Sequence, residues 1–133
     1  MSRALPFSIR VRVRFAETDA MGIVHHASYL PYLESCRVEY LRELGHPYTV
    51  LRDLDGIEFA VIGVTLEYDA PLAFDDEVDV SCAVASASGA RFTIAYELRR
   101  GDALIAHGET RHAVLDRATG RPQRVPEWLI SLV

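Results

Sequence analysis

Between Phe7 and Phe15 the chain alternates without a slip. Phe7, Ile9, Val11, Val13 and Phe15 share one face, and Ser8, Arg10, Arg12 and Arg14 the other. A period of two marks a half-buried strand. The period breaks over residues 16–22, AETDAMG, where Thr18 and Asp19 are turn or helix-capping types and Gly22 follows. This segment reads as a single turn or a loop. From Tyr29 the spacing becomes helical. Tyr29, Leu33, Cys36, Tyr40 and Leu44 form one stripe, which Leu30, Tyr32, Val38 and Leu41 widen. Ser35, Glu39, Arg42 and Glu43 remain as a polar edge, with Glu34 and Arg37 at its margin. A helix this apolar needs cover on most sides. Ser28 is its expected N-cap, Pro31 fits the first turn, and Gly45 with Pro47 ends it.

The rest of the chain reads mainly as strands. Tyr48 to Leu54 suits a short second helix. Ile57 to Tyr68 is apolar on both faces apart from Glu58 and Glu67. Glu77 to Ala85 alternates again through Val78, Val80, Cys82 and Val84; Ser86 to Ala90 is a turn. Arg91 to Arg100 puts Phe92, Ile94, Tyr96 and Leu98 on one face, and Gly101-Asp102 suits a tight hairpin before a strand from Ala103 to Leu115. Residues 116–124 read as a tail, with a last helical turn near Trp128. The short connections make the last three strands an antiparallel meander, and only one crossover is a long helix, so a βαβ repeat is excluded. The expected class is α+β: a strongly curved, five-stranded antiparallel sheet wrapped around one long central helix, as a single domain over residues 1–133.

Composition narrows the function. A net charge of −5 argues against a nucleic-acid partner, which usually meets a basic face. Cys36 and Cys82 have neither the number nor the spacing of a disulfide framework or zinc site. The N-terminal stretch lacks the apolar run of a signal peptide, and no segment approaches the length of a membrane span. The expectation is a cytoplasmic protein. A single curved sheet leaves exposed edges, and the strand Ile57 to Tyr68 is apolar on both faces, so it wants a partner.

The chemistry concentrates between Asp19 and Tyr29. Asp19 has two readings, a carboxylate capping a short turn or a reactive group delivered to the start of a buried helix. His25 and His26, as neighbours, diverge too far to share a metal. His107 and His112 differ by an odd number along one strand, so they face opposite sides, and both read as structural.

The segment RFAETDAMGIVHHASYLPYLESCRVEYLRELG, from Arg14, resembles the signature of hotdog-fold acyl-CoA thioesterases, in the branch of the 4-hydroxybenzoyl-CoA and Tol-Pal-associated enzymes. Asp19, Gly22, Ile23, Val24, His26 and Tyr29 carry the pattern. The resemblance implies a hotdog fold and hydrolysis of an acyl-CoA thioester to acid and CoA, with no metal and no cofactor, in a homodimer or homotetramer. It makes Asp19 the general base or nucleophile and His26 its companion. Gly22, Ala27 and Tyr29 would meet substrate, with backbone N–H groups around His26 and Ala27 facing the carbonyl. The turn Ser88-Gly89 with Arg91 would meet the nucleotide end, with Arg121 and Arg124 as further cations. A thioester is already activated, so one carboxylate suffices where an amide would need a full triad. A non-catalytic acyl-CoA-binding domain is the alternative; the hydratase and dehydratase motifs of other hotdog proteins are absent.

Overall fold

The computed structural model describes residues 5–133; residues 1–4, which begin the stretch read as lacking a leader, lie outside the described residues. The elements are β1 (Phe7–Arg12), α1 (Tyr29–Glu43), α2 (Tyr48–Asp53), β2 (Ile57–Tyr68), β3 (Glu77–Ser88), β4 (Arg91–Arg100), β5 (Ala103–Asp116) and α3 (Glu127–Ile130). All strand pairings are antiparallel, and the sheet order is β1-β3-β4-β5-β2. The meander expected of the last three strands forms the middle of the sheet, and β1 and β2 are its edges.

The alternating residues make the core. Val78, Val80 and Cys82 of β3, Ile94, Tyr96 and Leu98 of β4, and Ile105 and Val114 of β5 are buried, as are Tyr32, Leu33, Cys36 and Leu41 of α1. The helix lies against β1 and β3, where the Cys36 thiol donates to Val80 O at 3.3 Å. Gly45 has φ +86, as a residue past a helix end requires, and His46 N–H then closes onto Leu41 O at 2.9 Å. The α+β architecture is therefore the expected one: a curved antiparallel sheet with one long helix.

Four boundaries differ from the pattern. β1 ends at Arg12, because Val13 leaves the β1–β3 ladder and exchanges hydrogen bonds with the 75–76 loop: Val13 N–H to Asp76 O at 2.9 Å, and Asp75 N–H to Val13 O at 3.0 Å. The chain then turns, and Phe15, expected on the buried face, is 75% exposed with its ring edge-on to Phe74. β3 runs on to Ser88 through a bulge between Val84 and Ser86, which shrinks the turn to Gly89-Ala90. β5 likewise runs one residue further, to Asp116. Ser28 makes no side-chain cap; it closes a 3-10 turn, His26–Ser28, that leads directly into α1.

The helix is covered less completely than its composition suggests. Its flank toward β2 leaves Leu30 and Glu34 exposed, and Val61, Ile62, Val64 and Tyr68 of β2 are exposed as well.

Candidate active site

The segment between β1 and α1 is held by a carboxylate that its pattern gave no reason to single out. Glu17 is buried, and its Oε1 accepts both Arg14 N–H (2.7 Å) and the Tyr32 hydroxyl (2.7 Å). Its Oε2 accepts Arg14 Nε at 3.2 Å. Burial alone would raise the Glu17 pKa; the backbone of Arg14, the Tyr32 hydroxyl and the Arg14 guanidinium outweigh it and hold the carboxyl below its ordinary value. Tyr32 is pushed up in turn, by burial first and by Glu17 next. Glu17 O accepts His25 N–H at 2.8 Å, so this anchor fixes both ends of the loop.

Inside the anchor the loop folds tightly. Asp19 N–H donates to Ile23 O (2.8 Å), and Gly22 N–H donates to Asp19 O (3.0 Å). Gly22 has φ +79, the left-handed conformation that glycine adopts without penalty. One Asp19 oxygen, Oδ1, accepts Met21 N–H at 2.8 Å; the other forms no hydrogen bond among the described residues. The capping role read for Asp19 is thus real and occupies half of the carboxylate. Val24 N–H, donating to Leu72 O at 2.8 Å, ties the loop to the segment before β3.

Asp19, His26 and Tyr29 line one cavity of about 360 Å³, closed on the far side by Tyr68, Asp69 and Pro71. At the helix entry the N–H groups are unequally used. Ala27 N–H donates to His25 Nδ1 (3.1 Å), and Ser28 N–H to His25 O (2.9 Å). The His26 N–H has no acceptor among the described residues, and the His26 ring lies tilted against that of His25 with centroids 4.1 Å apart; the two side chains do not diverge as expected, because His25 is extended rather than helical. His25, which the pattern left without a role, therefore shapes this turn. Tyr29 is buried and packs edge-on to Tyr68, whose hydroxyl donates to His26 O at 2.9 Å. Tyr68 and Asp69 were not foreseen. Their signal was faint: an aromatic ending a strand apolar on both faces, followed by an acid. Asp69 Oδ2 lies 2.7 Å from His107 Nδ1, which gives the exposed strand histidine a partner at the cavity rim.

Ser88, Gly89 and Arg91 do not join this cavity within one chain. Arg12 pairs with Glu77 at the start of β3, the end near the Asp19 loop, and Ser88 lies at the other end of that strand. At about 3.3 Å per residue the separation is roughly 35 Å. The turn is instead braced by the tail, with Val125 N–H donating to Gly89 O at 2.9 Å. Arg91 is exposed, and Arg124 pairs with Glu127 at 3.9 Å.

Asp19, with one oxygen unbonded, and His26, with its N–H unused, thus line one cavity at the helix entry, on a curved antiparallel sheet carrying one long helix. The family model for the thioesterase-like superfamily matches residues 13–132, and the chain belongs to that superfamily; it is a thioester hydrolase. It is similar to the acyl-CoA thioesterase YbgC of Haemophilus influenzae, 31% identical over 91% of this chain and 89% of that protein. A hypothetical protein of Thermus thermophilus has a similar structure, with TM-score 0.88 and 36% identity over 96% of this chain and 99% of that one. So does a gentisyl-coenzyme A thioesterase, with TM-score 0.83 and 26% identity over 91% and 97% of the two chains.

Proposed function

We propose that this chain hydrolyses acyl-CoA thioesters, with Asp19 as the acid–base or nucleophilic group. The observation that carries the reading is that Asp19, with one oxygen unbonded, and His26, with its N–H unused, line one cavity. As general base, Asp19 takes a proton from a water whose oxygen attacks the thioester carbon; as nucleophile, its own oxygen attacks and water opens the resulting anhydride. In either course the carbonyl oxygen gains negative charge, the C–S bond breaks, and CoA leaves as a thiolate that takes up a proton. His26 N–H and the positive end of α1 stabilise the oxyanion. Ala27 N–H joins them only if the His25 ring turns away. Named relatives support the CoA ester as substrate, because YbgC and the gentisyl-coenzyme A enzyme are both named for such thioesters.

The working form in this reading is a dimer through β2. Its exposed Val61, Ile62 and Val64 and its open backbone edge favour pairing with a copy of itself. A twofold axis between two antiparallel β2 strands reverses their ends. Tyr68 of one chain then lies beside the Ile57 end of the other, which is the end that carries the Ser88–Arg91 turn. Arg91 would in this way serve the CoA phosphates of its partner's site, as the bidentate geometry of a guanidinium allows. The test is CoA release from a panel of acyl-CoAs. Asp19→Asn is expected to lower kcat by about 10²- to 10⁴-fold with the fold intact. An equally active Asp19→Asn would remove Asp19 from the role, and no CoA release by the wild type would remove the function.

A further inference from the structure

The Asp19 cavity is not the end of the opening beside α1. A second cavity of about 290 Å³ lies further along the same helix and the same strand, walled by Leu30, Leu33, Val61 and Val64 and carrying Glu34 and Arg37. Tyr29 of the first cavity adjoins Leu30 of the second in sequence, and Tyr68 and Val64 are four residues apart along β2, roughly 13 Å. Arg37 is two turns beyond Tyr29, about 12 Å along the axis, and helical side chains lean back toward the N-terminus. An extended acyl chain starting at Asp19 and following the helix would run toward the Arg37 guanidinium.

Arg37 differs from the other basic residues near the core. It is half-buried, its hydrogen bond is one N–H donated to the Tyr96 hydroxyl at 3.2 Å, and it has no carboxylate partner among the described residues. Behind it the buried polar groups run in one direction. The Tyr96 hydroxyl, accepting from Arg37, can donate to Thr110 Oγ1 at 2.8 Å, and Thr110 Oγ1 lies 2.7 Å from His112 Nε2. Thr110 also lines the second cavity. This string holds Arg37 in place but brings it no negative charge, since Tyr96, Thr110 and a neutral His112 are all uncharged. Guanidinium offers five N–H donors, so most remain for a ligand. A partly desolvated cation at the end of an apolar passage is the arrangement that selects an anion.

We propose that Arg37 recognises a carboxylate at the far end of the acyl group, so that the preferred substrates are CoA monothioesters of medium-length dicarboxylic acids. The proposal rests on the thioesterase reading above and adds the substrate class. Glu34 lines the same cavity but is exposed and makes no ion pair with Arg37, so its like charge toward the ligand is screened by solvent.

Suberyl-CoA and octanoyl-CoA differ only in the distal carboxylate. The wild type is expected to favour suberyl-CoA in kcat/KM by about tenfold or more, and Arg37→Gln to lower the suberyl-to-octanoyl ratio by about 10- to 100-fold, the range of a hydrogen bond to a charged group. Arg37→Lys should keep part of the preference, and Glu34→Gln should raise it. A wild-type ratio of one or below overturns the proposal without needing any variant. So does an Arg37→Gln enzyme with an unchanged ratio, including one whose oligomeric mass alone has changed. If octanoyl-CoA is cleaved and suberyl-CoA is not, the thioesterase reading stands and the dicarboxylate falls; if neither is cleaved, the dicarboxylate falls, and the thioesterase reading falls only if the whole acyl-CoA panel is left intact.

Discussion

The two edges of the sheet are built on opposite plans. β1 is short, and the Arg residues of its outer face pair with neighbouring acids: Arg10 with Asp79 at 3.0 Å and Glu77 at 3.3 Å, and Arg12 with Glu77 and Asp75. Charge and brevity are the usual protections of an edge that must stay single. β2 is twice as long and its outer half exposes Val61, Ile62, Val64 and Tyr68. Its inner face borders both cavities. The same sheet thus closes where its edge has no chemical work and stays open and apolar where the candidate site lies. Openness at β2 is therefore read as part of the site, completed in the proposed assembly by a second copy.

The contrast can be broken most severely at β2. Replacing Ile62, which is exposed and lines neither cavity, by Asp puts like charges at the proposed twofold. It should yield a folded single chain whose acyl-CoA hydrolysis has dropped on the order of 10²-fold, the cost of misplacing substrate contacts. Circular dichroism with a CoA-release assay checks it; full activity in a single-chain form would refute the open-edge reading.

The interior behind β4 and β5 gives the next largest effect. Burial, reinforced by the charge of Arg37, lowers the His112 pKa from 6.5 to about 4. Between those values the unfolded chain binds more protons than the folded one. The stabilisation from neutral His112 is complete above pH 6.5 and is lost as pH falls toward 4. It amounts to about 3 kcal/mol at roughly 1.4 kcal/mol per pH unit. Urea denaturation at pH 7 and pH 4.5 should show most of that loss in the wild type and much less in His112→Asn.

Glu17 comes third. Glu17→Ala leaves the buried Tyr32 hydroxyl and Arg14 N–H without their acceptor and should cost about 1–3 kcal/mol. Because the loop carrying Asp19 hangs from this carboxylate, kcat should fall as well, whereas a purely structural Glu17 would lower the melting temperature alone. The smallest effect belongs to the closed edge. Arg10 is fully exposed, and Arg10→Ala should leave both the denaturation midpoint and the activity within measurement error.

Much of this was legible in the sequence. Alternation marks β1, β3 and β4, and Gly45 marks the helix end, because burial on one face and a left-handed turn leave local traces. The Asp19 loop was legible through its motif. Val13 and Phe15 misled because their period continues past the point where the 75–76 loop takes the strand's hydrogen bonds. Glu17 was invisible, since its partners Arg14 and Tyr32 matter only once α1 is folded back on the loop. The distance between Asp19 and the Ser88–Arg91 turn depends on β3 running the length of the sheet, and no local pattern reports that.

In the proposed assembly the hydrolytic site at Asp19 works only when β2 has met its copy. Light scattering on a size-exclusion eluate, with CoA release assayed in the same fractions, tests both halves together. Activity should elute with a mass of two chains or an even multiple and should fall by about 10²- to 10⁴-fold in Asp19→Asn at that same mass. Activity recovered at the mass of a single chain would contradict it.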